Sequence, residues 1–282
     1  MSKGRLWAWV AAALLAGTEL LLAIGYRNAT AAPIIRRLDF KVPEYPVGAA
    51  PVSILLFSDV HVHGPDMPPS RLAKIVEQMN ALHPDMIVAT GDFIGDNWVG
   101  RTYSVKEAVA PLSRLEAPLG VYAVLGNNDY EAYARGIRPA LKKVGIHLLE
   151  DQATRVGPIA LGGLDGFIYH RRKPWELVRL KTSEALARTP GVKVLAAHRS
   201  DEIVPAAPFV RLVLAGHTHC GQIVLPLLGA LASGSDYGSK FLCGVIRDRS
   251  KLLVVTAGLG TSHVPLRFGA PPDMWLITID RG

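Results

Sequence analysis

The sequence predicts an α/β fold in which two mixed sheets pack against each other with helices outside, after an N-terminal transmembrane or signal segment. Three observations support this fold class. Short apolar runs alternate with helical segments over the first half of the chain, strand-like runs dominate the second half, and reactive polar residues follow several runs directly. The chain has 282 residues, which is enough for one large domain with a substantial core.

The N-terminal segment Leu6–Ile24 is almost entirely apolar. At about 1.5 Å per residue it is long enough to cross a hydrocarbon layer of about 30 Å. Glu19 opposes this interpretation because a carboxyl group is costly in lipid, and Ala29–Ala31 offers a signal cleavage site as the alternative. We expect a retained single anchor in the inner (cytoplasmic) membrane. Basic residues on both flanks favour slightly a domain on the cytoplasmic face.

The chain divides into three parts on this basis. Residues 1–32 form the membrane anchor or signal segment, residues 33–51 form a Pro-rich linker, and residues 52–282 form the folded domain. A net charge of +7 suits an acidic substrate or an anionic membrane surface, and equally a solvated basic surface. The sequence has no helix-turn-helix, RNP or zinc-finger pattern and only 7% aromatic residues, so no nucleic-acid partner is expected.

Apolar and β-branched runs predict the strands. In chain order these are Val52–Ser58, Met86–Thr90, Gly120–Leu125, Ile146–Leu149, Ile159–Gly163, Val192–Ala197, Val210–Ala215, Leu252–Thr256 and Trp275–Ile279. Helices are predicted at Ser70–Leu82, Val105–Leu115, Tyr130–Val144 and Pro174–Arg188. Ser70 is a candidate N-cap of the first of these helices, and Gly145 is a candidate C-cap of the third.

Residues with metal-ligand chemistry follow five of the predicted strands. They are Asp59 and His61 after the first strand, then Asp92, Asn127 and His198, and finally His217 and His219 in the sequence GHTH. Each residue alone has a structural explanation, such as a helix cap or a buried core histidine. Together they indicate a site, because ligands in open α/β sheets bind beyond the carboxyl ends of the strands.

The ligand types favour divalent first-row metals, which accept imidazole nitrogen and carboxylate or amide oxygen. Two such ions about 3.5–4 Å apart need a bridging carboxylate. Asp92 is the candidate bridge because Gly91 before it lets backbone and ligand approach closely. With no thiolate required, manganese, iron and zinc fit best.

The two cysteines, Cys220 and Cys243, predict no disulfide framework. Cys220 lies in the loop that carries His217 and His219, called the histidine loop below. It is either a thiol near a metal or a small buried filler.

The order D-x-H, G-D, G-N-x-D, a lone His and G-H-x-H resembles the motif set of the calcineurin-like metallophosphoesterases, over Val52–Ile279. The stretches GHTHCGQIVLP, GLGTSHVPLRF (Gly258–Phe268) and PPDMWLITI (Pro271–Ile279) are similar to the YkuE/YaeI-type branch. That branch includes membrane-associated phosphoesterases and UDP-2,3-diacylglucosamine pyrophosphatases. The resemblance implies a four-layer αββα sandwich.

The resemblance also implies a ligand set and an activity. One metal is expected on Asp59, His61, Asp92 and His219, and the other on Asp92, Asn127, His198 and His217. The expected reaction is hydrolysis of a phosphodiester or pyrophosphate by in-line attack of a hydroxide that bridges the metals. The anchor and the apolar loop Pro226–Ala232, followed by Ser233–Phe241, suggest a phosphorylated, lipid-linked small molecule as substrate; the alternative is that these segments serve only packing. The alternative is a non-catalytic or weakly active metal-binding module derived from this family.

One motif departs from the family pattern. The family usually has G-N-H-D or G-N-H-E, although some phosphodiesterase-like members lack the His, and this chain has Gly126-Asn127-Asn128-Asp129. Asn128 can donate a hydrogen bond but cannot transfer a proton at neutral pH. The candidate catalytic residues are therefore Asn128 and Asp129 of this motif, together with His63 as a substitute acid. The alternative for His63 is an ordinary loop histidine.

Overall fold

Two mixed six-stranded sheets form the centre of the computed structural model, which describes residues 3–131, 136–164 and 175–282. The strands are β1 (Ile34–Lys41), β2 (Val52–Phe57), β3 (Met86–Ala89), β4 (Val121–Ala123), β5 (His147–Leu148), β6 (Gln152–Val156), β7 (Ile159–Gly163), β8 (Val192–Arg199), β9 (Leu212–Gly216), β10 (Val224–Leu225), β11 (Gly229–Ala230), β12 (Gly244–Asp248), β13 (Lys251–Val255) and β14 (Asp273–Asp280). The first sheet has the order β1-β14-β2-β3-β4-β5 and the second has β12-β13-β9-β8-β7-β6. Strands β10 and β11 form a separate hairpin.

Helices cover the outer faces of both sheets. They are α2 (Pro69–Asn80), α3 (Val105–Val109), α4 (Asn127–Glu131), α5 (Ile137–Lys143) and α6 (Trp175–Arg188), after the N-terminal helix α1 (Lys3–Ala29). Short 3₁₀ segments follow α3, β8 and β9. Helix α1 is long and apolar enough to cross a membrane by length and composition, as the sequence predicts.

Alternate residues of β2 explain the four layers. Ile54 and Leu56 lie in the core between the two sheets, where they meet Leu214 of β9. Leu55 and Phe57 point to the other face and pack against α2. A third core joins the second sheet to α6. The run VSILLF is apolar at every position except the half-buried Ser53 because this strand is buried on both faces. The predicted αββα sandwich of two mixed sheets is confirmed.

The first sheet begins earlier in the chain than the sequence suggests. Residues 34–41, which fall in the expected linker 33–51, form β1 and pair in parallel with β14. An exposed edge strand alternates in burial and contains Arg36, Arg37 and Asp39, so it lacks the apolar run that identifies a central strand. Strands β6 and β12 escaped prediction for the same reason, because both lie at sheet edges with exposed alternate residues.

The helix predictions need three corrections. The N-cap of α2 is Pro68 without a side-chain cap, whereas Ser70 lies inside the first turn. Helix α3 ends at Val109 and continues as a 3₁₀ turn that contains Pro111 near its start, since proline removes a backbone donor. The predicted helix Tyr130–Val144 corresponds to α4 and α5, with residues 132–135 outside the described part. The predicted start at Pro174 also lies outside it.

Candidate metal centre

All seven predicted metal ligands converge between the carboxyl ends of five strands. Asp59 and His61 follow β2, Asp92 follows β3, and Asn127 follows β4. His198 is the penultimate residue of β8, and His217 and His219 follow β9. The acidic and imidazole groups form two sets, Asp59 with His61 and His219, and Asp92 with His198 and His217. Within each set the candidate ligand atoms lie within 4.8 Å of one another.

Asp92 lies between the two sets. Its Oδ2 is 3.5 Å from His61 Nε2 in one set and 3.3 Å from His198 Nε2 in the other. Asn127 Oδ1 is 3.1 Å from His198 Nε2, so the amide belongs with the second set. One carboxylate therefore faces ligand nitrogens on both sides, which is the placement that a bridging ligand needs.

The donor atoms fit two divalent cations. Asp59 Oδ1 is buried without a hydrogen-bond partner among the described residues. It lies 3.6 Å from His219 Nε2 and 3.8 Å from His61 Nε2. A buried carboxylate oxygen without a partner is costly, and a cation beside these nitrogens would satisfy it. The mixed imidazole, carboxylate and amide set matches first-row divalent metals.

Two imidazoles are oriented by groups behind them. His198 Nδ1 lies 2.6 Å from the Thr90 carbonyl oxygen, within hydrogen-bond distance, whereas His61 Nδ1 faces Asp96 Oδ1 at 3.6 Å, beyond that distance. A ring nitrogen that donates to a carbonyl or carboxylate leaves the opposite nitrogen as the lone pair for a metal. His198 therefore presents the lone pair of Nε2 to the space around Asp92, and His61 Nε2 faces the same space. Sequence reasoning missed Asp96, which lacks a motif of its own.

The backbone at the site is held in an unusual conformation. Five of the candidate ligands have positive φ angles between 45° and 69°, namely Asp59, His61, Asp92, His217 and His219. This left-handed region is unfavourable for residues other than glycine, and it persists where the surrounding structure enforces it. Here the His217 amide donates to Asp59 Oδ2 at 2.9 Å, and the Asp59 amide donates to the Gly91 carbonyl. These left-handed conformations turn the chain after each strand so that the ligand side chains converge.

Charges at the site are balanced in pairs. Burial alone would raise the pKa of Asp92, but the adjacent His198 and His61 together hold that pKa below its usual value. Burial opposes protonation of His198, yet Asp92 raises its pKa to about 9. Burial and the neighbouring His198 lower the pKa of His217 to about 4. The carboxylate between the two sets is therefore anionic and ready to bind a cation.

Asp129 supports the site from behind. Its carboxylate accepts hydrogen bonds from the amides of Asp92, Phe93 and Gly126 at 2.9–3.0 Å. Burial, and then the charge of Asp92, raise its pKa to about 7. Gly126 is required at this junction because a Cβ there would lie 2.1 Å from Asp92 Oδ1. Asp129 thus fixes the ends of β3 and β4 relative to each other.

The structure treats the two other candidate catalytic residues differently. The backbone amide of Asn128 donates to Asp92 Oδ1 at 2.9 Å, and the side-chain Nδ2 of Asn128 lies 3.4 Å from His61 Nδ1. The ring of His63 contacts loop residues outside the ligand cluster. Its Nδ1 contacts the Gly64 carbonyl oxygen, and its Nε2 lies 3.2 Å from Thr102 Oγ1. Asn128 therefore lies against the ligand cluster, while the ring of His63 is engaged elsewhere.

Arg267 is a buried cation that sequence reasoning passed over. Its Nη2 lies 3.3 Å from His219 Nδ1 and donates to the carbonyls of Ala257 and Gly260. Its Nη1 donates to the Ala270 carbonyl, and burial lowers its pKa to about 10. The only feature of the sequence that indicated Arg267 is its position in the segment Gly258–Phe268, which resembles the YkuE/YaeI-type branch. It holds the loop after β13 against the histidine loop.

The two cysteines form a disulfide bond between Cys220 and Cys243. This corrects both interpretations of Cys220, which is neither a free thiol near a metal nor an isolated apolar filler. The bond ties the histidine loop after β9 to the start of β12. The sequence could not reveal the pairing, because two cysteines separated by 23 positions carry no spacing signal.

A mostly apolar pocket of about 460 Å³ opens beside the cluster. His217 and His219 lie at one side of it, and Trp98, Leu231 and His263 line the remainder together with other residues. The pocket therefore offers imidazole groups at one side and mainly apolar side chains beyond them.

Comparison with known proteins identifies relatives of the chain. The family model for calcineurin-like phosphoesterase matches residues 52–221. The uncharacterized metallophosphoesterase YkuE of Bacillus subtilis is 29% identical over 98% of this chain and 95% of its own length. An uncharacterized metallophosphoesterase of Aquifex aeolicus is 30% identical over 87% and 91%, respectively. A transmembrane protein with metallophosphoesterase domain from Danio rerio is 29% identical over 93% of this chain, which spans only 61% of that relative.

Proposed function

The chain belongs to the calcineurin-like phosphoesterase family and is therefore a metal-dependent phosphoric ester hydrolase, and we propose that it cleaves a phosphodiester or pyrophosphate bond in a lipid-linked substrate. The observation that carries the proposal is the convergence of two ligand sets on Asp92 beside an apolar pocket. Two sets around one carboxylate fit a pair of cations that act on one phosphoryl group.

We assign the ligands as the family resemblance implies. Asp59, His61 and His219 would hold one divalent ion, Asn127, His198 and His217 would hold the other, and Asp92 would bridge them. When bound, such a pair supplies Lewis-acid stabilisation of the phosphoryl oxygens and lowers the pKa of a bound water. The imidazole-rich set favours manganese, iron or zinc.

The protein itself orients the reactants. The Thr90 carbonyl holds the ring of His198, Asp96 lies behind the ring of His61, and Asp129 holds the strand ends that carry Asp92 and Asn127. The side-chain Nδ2 of Asn128 is a donor beside the cluster and suits a phosphoryl oxygen. The apolar pocket accommodates the part of the substrate beyond the phosphoryl group and excludes water from it.

Helix α1 and the relative named as a transmembrane protein indicate membrane association. We propose the cytoplasmic membrane, with α1 as a single anchor. The count of basic residues leans toward a cytoplasmic domain, but that rule is weak for long domains, which translocate largely regardless of charge. The Cys220–Cys243 disulfide favours the opposite face, because such bonds persist in oxidising compartments. We therefore place the domain outside the cytoplasm.

The face can be tested by thiol labelling. Intact cells that express the full chain are treated with a maleimide-polyethylene glycol under denaturing quench, with and without prior reduction. An oxidised pair gives a mobility shift only after reduction. A shift without reduction would place the cysteines in the reducing cytoplasm.

The activity is tested with the full chain purified in detergent and loaded with Mn²⁺, Fe²⁺ or Zn²⁺. Bis-p-nitrophenyl phosphate, p-nitrophenyl phosphate and a UDP-diacyl-sugar report diester, monoester and lipid-linked pyrophosphate hydrolysis. We expect metal-dependent turnover of the diester and the pyrophosphate in preference to the monoester. Tight metal binding without turnover of any of the three would instead support the non-catalytic metal-binding alternative.

A further inference from the structure

The hairpin of β10 and β11 exposes apolar side chains beside the metal centre. Leu227 at its tip is fully exposed, Leu228 is 76% exposed, and Leu231 follows as a third exposed leucine. Trp98, which is 76% exposed, lines the same pocket as Leu231. We call these four residues the apolar rim. Clusters of this kind on a protein surface mark an interaction site.

The apolar rim is connected to the base of α1 through one short segment. The Phe268 ring packs so closely on Gly25 that a Cβ there would lie 2.7 Å from it. The Arg267 amide donates to the Gly25 carbonyl at 3.0 Å, and Asn28 Nδ2 donates to the Arg267 carbonyl at 3.1 Å. The Val224 amide of β10 donates to the Phe268 carbonyl at 2.8 Å. The hairpin and the helix base therefore flank the same segment.

The first sheet places the base of α1 at the same ends of the strands as the metal centre. Strand β1 runs parallel to β14, and β14 runs antiparallel to β2. Ile34, just after α1, therefore lies at the edge where β2 ends and Asp59 follows. The apolar residues of α1 before Gly25 are exposed to the surroundings. A bilayer that covers them reaches the domain at the level of the hairpin.

We propose that the apolar rim inserts into the lipid bilayer next to α1, so that the pocket of the metal centre opens at the membrane surface. Continuity with the docked helix supports a lipid occupant, and an excess of basic residues, +7 overall, suits an anionic surface. The proposal concerns membrane contact and stands independently of the reaction catalysed.

The test uses the full chain reconstituted in phosphatidylcholine vesicles that contain phosphatidylglycerol. The native cysteines are paired, so Leu228→Cys provides one thiol for an environment-sensitive bimane label. The matched control is Val47→Cys, because Val47 is 81% exposed and lies near the end of β1, at the opposite edge of the first sheet. Doxyl-labelled phosphatidylcholine then reports contact with acyl chains.

We expect a blue-shifted emission and strong quenching by doxyl lipid at position 228, and neither effect at position 47. Equal, water-like emission at both positions would overturn the proposal. Quenching at both positions would overturn it as well, since the contact would then be unspecific.

A second observation concerns His263 in the pocket. Its Nδ1 lies 3.0 Å from Asp96 Oδ2, and its ring stacks on Trp98 with centroids 5.3 Å apart. The other oxygen of Asp96 faces His61. Asp96 thus connects an exposed pocket histidine to the ligand cluster, and it leaves Nε2 of His263 as the nitrogen available to a substrate.

From this geometry we infer that His263 protonates the leaving group, a role that rests on the proposed hydrolysis. The attacking water releases one proton to solvent as its oxygen forms the bond to phosphorus. As the bond from phosphorus to the leaving oxygen breaks, the Nε2 proton of His263 passes to that leaving oxygen. The products are a phosphorylated fragment and an alcohol, and the neutral imidazole regains a proton from solvent. His63 cannot readily take this role because both its ring nitrogens are engaged.

His263→Gln is compared with His63→Gln, its matched control, on an alkyl phosphodiester and on bis-p-nitrophenyl phosphate. General acid catalysis contributes about 10²–10⁴-fold where the leaving group is poor. We expect His263→Gln to lower kcat/KM for the alkyl ester by about 100-fold and for the nitrophenyl ester by less than about threefold. His63→Gln should leave the ratio of the two rates at the wild-type value, and bound metal should stay unchanged in both variants.

An unchanged ratio in His263→Gln, or a changed ratio in His63→Gln alone, would overturn the assignment of the acid. Loss of both rates accompanied by loss of bound metal would also overturn it, because His263 would then have a structural role. Failure of the wild type to cleave either ester would instead refute the hydrolysis itself, and the role of His263 with it.

Discussion

The ligand cluster and the apolar rim border the same pocket but are built in opposite ways. Asp59, His61 and Asp92 are almost completely buried, and their side chains are oriented by backbone amides, a second carboxylate and strained backbone angles. Leu227 and Leu228 project from a two-residue-per-strand hairpin into the surroundings. The cluster is preorganised for chemistry at a fixed point, whereas the rim offers contact area without geometric constraint.

This contrast separates two kinds of effect. Changes in the cluster should act on metal binding and on the turnover of every ester, because each side chain there has several fixed partners. Changes in the rim should act on membrane contact and on lipid-embedded substrates alone. Variants of the cluster and of its supporting residues test how far this division holds.

The largest effect is expected for Asp92→Asn. The amide keeps the volume but removes the negative charge that faces both ligand sets. Loss of even an outer partner of a metal ligand lowers affinity or activity by about 10–100-fold, so we expect a loss of turnover beyond about 100-fold. Metal content by elemental analysis and diester hydrolysis measure the two consequences.

Asp66→Asn is the matched control for this variant. Asp66 is another buried carboxylate, which accepts hydrogen bonds from Asn97 and Thr261 and belongs to neither ligand set. It should reduce thermal stability while metal content is retained. Wild-type metal content and rate in Asp92→Asn would refute the bridging assignment.

Arg267→Met should have the next largest effect. It leaves the carbonyls of Ala257, Gly260 and Ala270 without a buried donor, and each unsatisfied buried group is worth about 1–3 kcal/mol. We expect a lower melting temperature in detergent and weaker metal binding at the His219 set. Arg267→Lys keeps the charge but not the planar fork, and full recovery in that variant would show that charge alone is needed.

A smaller effect is expected for Asn128→His, which restores the family residue beside the cluster. A transplanted acid should recover only part of the typical range of about 10²–10⁴-fold. We expect the ratio of alkyl-ester to nitrophenyl-ester hydrolysis to rise by about tenfold or less, and by more in a His263→Gln background. An unaltered ratio in both backgrounds would mean that this position has no influence on leaving-group protonation.

The smallest effect on turnover is expected when the disulfide is removed in a Cys220→Ala, Cys243→Ala double variant. The bond constrains the loop near the rim, and its loss should lower the free energy of unfolding by about 2–4 kcal/mol. Ligand positions are held by other contacts, so hydrolysis of a soluble diester should stay near wild type. A large loss of metal at unchanged melting temperature would show that the bond positions His219 directly.

Much of the fold and of the centre was predictable from local sequence. The buried runs at 52–57, 86–89 and 212–216 have the length and β-branched content of central strands, and the ligands follow them within a few residues. Edge strands carry weaker patterns, so β1, β6 and β12 could not be recognised from periodicity. The contacts of His263 with Asp96 and of Arg267 with His219 also could not be predicted, because each residue lies in a loop whose position depends on distant contacts.

The sequence by itself determined the strand-end order of Asp59, Asp92, Asn127, His198 and His217, since side-chain alternation and strand propensity act over a few neighbouring residues. The sequence also indicated Asp92 as the bridge, from its place after Gly91, and in the tertiary structure its carboxylate lies between the two ligand sets. Only the tertiary structure decided that His263 lies in the pocket beside them. It also decided that β1 pairs with β14 and that α1 docks on Phe268, contacts that join residues more than 200 positions apart. Such pairings depend on the burial and hydrogen bonding of the whole domain, which no local pattern encodes.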